Sequence, residues 1–495
     1  MPKTSLKRNT LYNLSGSLLS LAATLVIVPV FLHKIGTQRF GVLAIIWLFI
    51  GYFGVFDLGL SRATANQIAK LHDSRERAEI FWTAILLNAV IGICGGVVLY
   101  FAGGAIFQYA FEMPPSMRAA VISMMPWLAA SIPIATVTGV LTGVLEGCEK
   151  FLLVNSLQVT GSVLVQVVCL AVAFVHGPEL GWLIAAAILT RMLTTLPFLG
   201  GVLWTIPVGR PRAPRRDLAA ILFGYGAWVT ISNIINPIFD SVDKFLIGGI
   251  SGLASVTYYA VPERLARRAS IFPAALARTL FPRLSSTHEL DARDTARRSL
   301  TSLIAVLTPI TVLLMLAMRP FLTQWIDPEF GRLAGPVGAV ISISVLINGL
   351  AYVPYAFLDA RGRPDLTAKF HLIEILPHVA LLWFLLHRFG LIGGAWAVVL
   401  VSIFDAALLF WKSDLHIYSI WPFWQGVMWI ILAGLLAPLY TTRQVLFYAL
   451  GLIVVLASIG WGLRVSPEVF AFAGDILRRL LRRPLRVKPH QTLYI

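Results

Sequence analysis

The sequence predicts an all-α polytopic membrane protein of about 14 transmembrane helices: two six-helix pseudo-repeat lobes followed by two C-terminal helices. Three observations predict it. The first is composition: of 495 residues, 58% are hydrophobic and only 13% charged, with a mean hydropathy of +0.80, whereas soluble domains carry about 25% charged residues. The second is the spacing of apolar runs, centred near residues 22, 50, 92, 131, 164, 192, 234, 269, 312, 345, 380, 401, 430 and 454. The third is charge placement. With the N-terminus in the cytosol, 27 of the 40 Lys and Arg residues fall in inside segments, 7 outside and 6 within spans. That bias supports cytosolic termini and an even number of spans. It also locates the net charge of +16 at a membrane surface and not on a nucleic-acid-binding face.

The elements follow in chain order. No cleavable signal peptide is expected, because Lys3, Lys7 and Arg8 run into an apolar stretch too long for one. The first span carries Asn13, Ser17, Ser20 and Thr24 on one helical face. The second ends on Asp57 and Arg62. Cys94, Cys148 and Cys169 lie in or beside apolar spans, read as small buried residues with no disulfide or metal spacing. Arg191 stands alone in the sixth span. A basic run, Arg210 to Arg216, reads as a linker between halves. The seventh span places Asn233, Asn236, Asp240, Asp243 and Lys244 on a single face. The thirteenth and fourteenth spans have no counterpart in the first half, and Pro467–Lys488 reads as an amphipathic helix lying on an anionic leaflet. The expected organisation is an N-terminal lobe over 1–206, a basic cytosolic linker over 207–217, a C-terminal lobe over 218–415, two further helices over 416–465 and a basic amphipathic tail over 466–495.

The two lobes read as a duplication. A shift of 216 residues lays Gly36 on Gly252 and Arg62 on Arg278, and a shift of 213 lays Glu146 on Asp359 and Gly177 on Gly390. Six spans return the chain to its starting side, so the repeat is parallel.

The eighth span is anomalous. It carries Glu263, Arg264, Arg267, Arg268 and Arg278. An Arg near a bilayer centre costs about 2.5–3.5 kcal/mol on insertion scales, so four facing lipid would cost on the order of 10 kcal/mol. They are expected to face water inside the protein, and a cationic interior suits an anionic cargo, because the planar guanidinium matches phosphate oxygens bidentately. Glu263, Arg267, Ala274 and Arg278 share one stripe, with Arg264 and Arg268 on the next; Glu263 and Arg267 are spaced to pair. By topology, Arg62 and Arg278 lie at the cytosolic mouth, Arg267 and Arg268 near mid-membrane, and Arg264, Lys244 and Asp243 in the outer half. Internal salt bridges such as Asp243–Arg264 are the competing reading, and Arg62 and Arg278 also fit snorkelling to headgroups. The set as a whole fits bridging less well, since five cations in the seventh and eighth spans face three carboxylates.

His371, Glu374 and His378 in the eleventh span share a face. Pro377 interrupts it and no fourth ligand is visible, so a packed polar patch is the favoured reading, ahead of a proton-sensing or metal site. No P-loop, nucleophile elbow or HExxH pattern occurs; neither a catalytic residue nor a cofactor is expected.

Several segments resemble a known family. Gly51-Tyr-Phe-Gly-Val-Phe-Asp57-Leu-Gly59-Leu-Ser-Arg62 resembles the end of the second span in polysaccharide and O-antigen flippases of the Wzx type, in the superfamily of the lipid II flippase MurJ and the MATE drug exporters. Tyr258-Tyr-Ala260-Val-Pro-Glu-Arg264-Leu265, continuing to Phe281-Pro282-Arg-Leu284-Ser285, is similar to its eighth span. Gly390-Leu-Ile-Gly393-Gly-Ala395-Trp-Ala397 is similar to its glycine-rich start of the twelfth. The resemblance covers about residues 5–415. It implies two lobes around a central cavity opened alternately to either side of a bacterial cytoplasmic (inner) membrane. It also implies export of an oligosaccharide linked to undecaprenyl pyrophosphate, without enzymatic turnover. Arg264 matches the family context; Arg267, Arg268 and Lys244 carry over as charge in the right helices, and Asp57 matches the motif. Arg267, Arg268, Arg264, Lys244, Arg278 and Arg62 are thus the expected pyrophosphate-binding set. Asn13, Ser17, Asn233, Asn236, Asp240, Asp243, Glu263 and Asp57 are the sugar-facing or coupling candidates. A proton or sodium ion is the expected driving ion, and membrane lipids and a glycan polymerase the expected partners. A multidrug exporter or a membrane glycan polymerase or ligase are the rivals. The first would favour an acidic cavity, and the second a sizeable extracytoplasmic loop, which is lacking.

Overall fold

Apolar side chains in continuous runs, with backbone groups that must bond internally once water is removed, leave the helix as the economical conformation, and helices fill the computed structural model. It describes residues 22–51, 57, 59–71, 73–211, 213–219, 241–286, 288–417 and 420–471. Among these, nine helices are long and apolar enough to cross a membrane.

In order they are a short apolar helix α1 (Ala22–Ile35), α2 (Thr37–Gly51), α3 (Leu60–Lys70), α4 (Ser74–Tyr109), α5 (Pro115–Ser123), α6 (Met125–Gly147), α7 (Phe151–Val175) and α8 (Leu180–Thr205). The helical stretch 241–250 is α9. Then come α10 (Leu253–Arg267), α11 (Ile271–Ser286), α12 (Glu289–Trp325), α13 (Pro328–Ala360), α14 (Pro364–Ser413), α15 (Trp421–Leu436), the single turn α16 (Leu439–Thr442) and α17 (Gln444–Val465). Local signals set several boundaries. Asp73 caps α4 by accepting from the Arg75 amide. Asp327 caps α13 by accepting from the Phe330 amide at 2.7 Å, with Pro328 in the first position, where a missing N–H costs nothing. α14 contains two of the expected spans: its limbs meet at Gly390, whose φ of 59° is left-handed.

The duplication is visible in the backbone. Gly36 and Gly252 have φ of 80° and 83°; Gly177 and Gly390 have 80° and 59°. The 213-residue shift adds a third pair, Glu149 at 59° and Gly362 at 73°. Each pair sits in a corresponding turn, and left-handed conformations are uncommon enough outside glycine for Glu149 to be informative. The pseudo-repeat that a few side-chain coincidences suggest is thus borne out by chain geometry.

The chain divides into two compact units: Met1–Ala260 with Val379–Gly394, and Val261–His378 with Ala395–Ile495. In the first, Leu60, Ala63 and Ile68 of α3 pack with Phe81 and Ala84 of α4, Val140, Leu141 and Val144 of α6 and Phe198 and Val202 of α8. In the second, α11 and α12 pack on α13 and on the second limb of α14 through Leu284, Leu300, Leu303, Leu350, Phe357, Leu409 and Phe410. The added helices α15 and α17 dock on the other end of α12 through Val312, Met315, Ala433, Phe447 and Val454. Lipid is as apolar as leucine, so close backbone approach and interhelical hydrogen bonds matter more than burial. Thr136 of α6 accordingly donates to the Asn88 carbonyl of α4 at 2.9 Å.

Candidate functional site

The arginine-bearing segment is where the helix fails. α10 ends at Arg267, a single 3-10 turn covers Arg268–Ser270, and α11 begins at Ile271. Pro273 accounts for the break: it has no N–H to return to Ala269, and its ring crowds the preceding turn. A 3-10 turn advances about 120° per residue against about 100° in an α-helix, so three residues shift the phase by about 60°. The expected continuous stripe from Arg267 through Ala274 to Arg278 therefore does not run straight. The buried side of the segment is Val261, Glu263, Ala266 and Ala269, and Arg264, Arg267 and Arg268 lie on the exposed side.

Glu263 is only 3% exposed. It reaches across its own helix to accept from Arg267 Nε at 2.8 Å, and the Arg267 side chain stays 51% exposed. The expected pairing of these two residues is present. Arg264 is exposed and engaged in a further interaction. Arg268, at the head of the 3-10 turn, makes no ion pair with any described residue. The side chain of Arg278 lies outside the described residues, although its backbone continues α11.

In the first unit, Asp243 and Lys244 form a closed network. Asp243 accepts from the Tyr259 hydroxyl at 2.5 Å and from Lys244 Nζ at 3.4 Å, and Lys244 lies over the Tyr259 ring at 5.7 Å. Asp243 and Lys244 are 2% and 5% exposed. A lysine held this way neutralises its neighbour and presents little surface to a ligand. Asn13, Ser17, Asn233, Asn236 and Asp240 lie outside the described residues.

Asp57 does local work. Both its carboxylate oxygens accept from the Ser61 amide, and Oδ1 also accepts from the Ser61 hydroxyl at 2.7 Å, capping the start of α3. The D-L-G-L-S-R stretch then seats against a glycine stripe on α6. A Cβ at Gly139 would meet Ser61 Oγ at 2.5 Å, one at Gly143 the Ser61 carbonyl, and one at Gly147 the Ala65 carbonyl. This four-residue spacing of small residues is a signal the sequence carries and the charge-led reading passes over. Arg62 is exposed, and its charge bears on Asp57 and on Glu146 of α6.

Three further expectations fall on described residues. His371 and Glu374 are neighbours, Nδ1 to Oε2 at 3.9 Å, joined by a residue the sequence reading missed, Asp405. Arg191 is exposed and has a partner interaction. Of the cysteines, only Cys169 is buried; Cys148 is half-buried and Cys94 exposed, so Cys94 is not the buried packing residue expected, since its face of α4 points out of the helix bundle.

The fold and its charged helix define a class: an all-helical polytopic membrane protein of the MATE and MurJ architecture. The structure is similar to an inward-facing multidrug-resistance MATE-family transporter of the MOP superfamily, with a TM-score of 0.70 at 13% identity over 81% of this chain and 98% of that one. It is similar to the lipid II flippase MurJ in an inward closed conformation, with a TM-score of 0.70 at 12% identity over 92% and 98%. In sequence, residues 6–288 match the model of the polysaccharide biosynthesis protein family, and the chain belongs to that family. It is also 27% identical over 412 residues to a protein of Shigella flexneri described as an O-antigen transporter, covering 82% of this chain and 97% of that protein.

Proposed function

We propose that the protein is a flippase that moves a polyprenyl-pyrophosphate-linked oligosaccharide from the cytoplasmic to the outer leaflet by alternating access. The observation that carries this reading is the broken helix: Arg264, Arg267 and Arg268 exposed around one non-α turn, Arg268 without an ion-pair partner among the described residues. Cations held so at membrane depth have an energetic reason to be there only if an anion visits. Membership of a polysaccharide biosynthesis family, a relative described as an O-antigen transporter and the fold of a lipid II flippase support a lipid-linked glycan as that anion.

In this reading, Arg267 and Arg268 grip the pyrophosphate, Arg264 lies beyond them, and Arg62 and Arg278 draw the headgroup in at the cytosolic mouth. Lys244, sealed against Asp243, leaves the cargo-binding set, and the polar stripe of Asn13, Ser17, Asn233 and Asn236 meets sugar. An apolar groove of about 600 Å³ between α13, the second limb of α14 and α15, lined by Ile343, Leu346, Ile403, Phe410, Phe423 and Ile430, suits part of the prenyl chain. Asp240, Asp243 or Glu263 would compete with cargo for the cations, so that a proton or sodium ion taken up by one of them couples to movement. Each state must then differ in its affinity for cargo or ion. The lysine and arginine bias supports cytosolic termini, and a bacterial inner membrane is the setting such a carrier lipid requires. A glycan polymerase would take the delivered product. The test is the Arg267→Ala/Arg268→Ala double variant, assayed for surface polysaccharide in a strain lacking the native gene. Loss of export with the protein inserted at normal level is the expected result, and unimpaired export overturns the site.

A further inference from the structure

Gly390 folds α14 into an antiparallel hairpin. Glu374 lies sixteen residues before it and Asp405 fifteen after, so the reversal brings the two carboxylates level. One ligand atom each from His371, Glu374 and Asp405 lies within 4.8 Å of the others. Glu374 is 2% exposed, and its Oε1 and the Asp405 Oδ1 are buried without a hydrogen-bond partner. Neither carboxylate pairs with an arginine or lysine among the described residues. Two carboxylates face each other inside a helical pair, then, with the His371 imidazole beside them and no arginine or lysine paired to them among the described residues. A buried anionic pair of this kind is stabilised by a positive charge, and one imidazole balances at most one of the two carboxylates.

We propose that His371, Glu374 and Asp405 bind one divalent transition-metal ion of the zinc class. The imidazole nitrogen selects against calcium and magnesium, which prefer all-oxygen shells, and for zinc or its chemical stand-in cobalt. Two carboxylates and a neutral imidazole sum to the charge that a divalent ion cancels. Ligand atoms around a tetrahedral zinc lie about 3.3–3.5 Å apart, so side-chain movements of about 1 Å close the set. His371 is the way in: its side chain is 31% exposed, against 3% for Glu374. The site spans both limbs of the hairpin, about two turns from the start of α14, so metal occupancy ties one limb to the other. This assignment is independent of the glycan cargo.

The experiment uses tag-free full-length protein in nanodiscs, titrated by calorimetry with Zn2+ and, for its visible absorption, with Co2+. The expected result is one saturable equivalent per chain, a Co2+ spectrum of tetrahedral intensity, and a loss of affinity of about tenfold or more in each of Glu374→Gln, Asp405→Asn and His371→Asn. The three variants are checked for an unchanged elution profile and thermal transition, so that lost binding is not lost fold. Absence of saturable binding in the wild type overturns the assignment, as does binding that survives Asp405→Asn. A wild type that ignores metal but gains thermal stability in Glu374→Gln also overturns it, and assigns a shared proton to the pair.

Discussion

Two carboxylate–cation pairs, nineteen to twenty-four residues apart in sequence, show how differently one motif can be used. Asp243 and Lys244 are both sealed, 2% and 5% exposed, with Tyr259 closing the network. Glu263 is equally buried, yet its partner Arg267 remains half exposed and stands beside Arg264 and Arg268 on an open face. The difference lies in backbone and stoichiometry. The first pair sits in regular helix, one cation for one anion. The second flanks a break, with Arg264, Arg267 and Arg268 on its exposed side and Arg268 outside any ion pair among the described residues. A sealed pair stabilises; a pair with its cation at the surface leaves that cation within reach of a ligand.

The largest expected effect follows from that exposure. Hydrogen bonds to charged groups contribute about 1.5–3 kcal/mol each, so Arg267→Ala/Arg268→Ala should lower glycan export by well over about tenfold, read as surface polysaccharide, with little change in unfolding temperature. Lys244→Met should show the reverse profile. Stranding Asp243 in a buried site should cost about 3–5 kcal/mol of stability, measured by thermal unfolding in detergent, and adding Asp243→Asn should restore most of it. A Lys244→Met protein of full stability but no export would move Lys244 into the binding set. Gly143→Leu should destabilise by about 1–3 kcal/mol through overpacking against the Ser61 carbonyl, seen in the same melt. The smallest effect should come from Arg215, which binds Glu79 and Asp217 at the exposed end of the linker. Hydrogen bonding from Arg215 holds the Asp217 carboxyl below the ordinary carboxylate range. A depressed carboxyl stabilises above its unfolded value and loses that contribution as pH falls through the folded one. The latch should therefore hold at neutral pH and loosen only below about pH 4, detected as faster proteolysis within 207–217. Arg215→Ala should reproduce that susceptibility at neutral pH and abolish its pH dependence.

Hydropathy and positive-inside bias made the architecture legible, because a helix in lipid leaves so few alternatives. The repeat was legible from Gly36, Gly177 and their partners, since glycine marks left-handed turns that the duplicated chain needs twice. The break at Arg268–Ser270 was not, although Pro273 lies in plain view: many membrane helices tolerate a proline without breaking. Asp405 was missed because its significance depends on a partner thirty-one residues away across a hairpin, where periodicity on one helix says nothing. Asp57 is marked in the sequence by its motif, and its bonds to the Ser61 amide and hydroxyl give it the role of holding the helix end.

The tight reversal at Gly390 also bears on how the chain is made. With no loop between them, the limbs of α14 have no stable position in which one crosses the bilayer and the other waits outside. Entry of the two limbs as a unit carries Glu374 and Asp405 into the membrane together. Two carboxylates carried into lipid on one hairpin are less costly to insert with a cation or proton between them than bare.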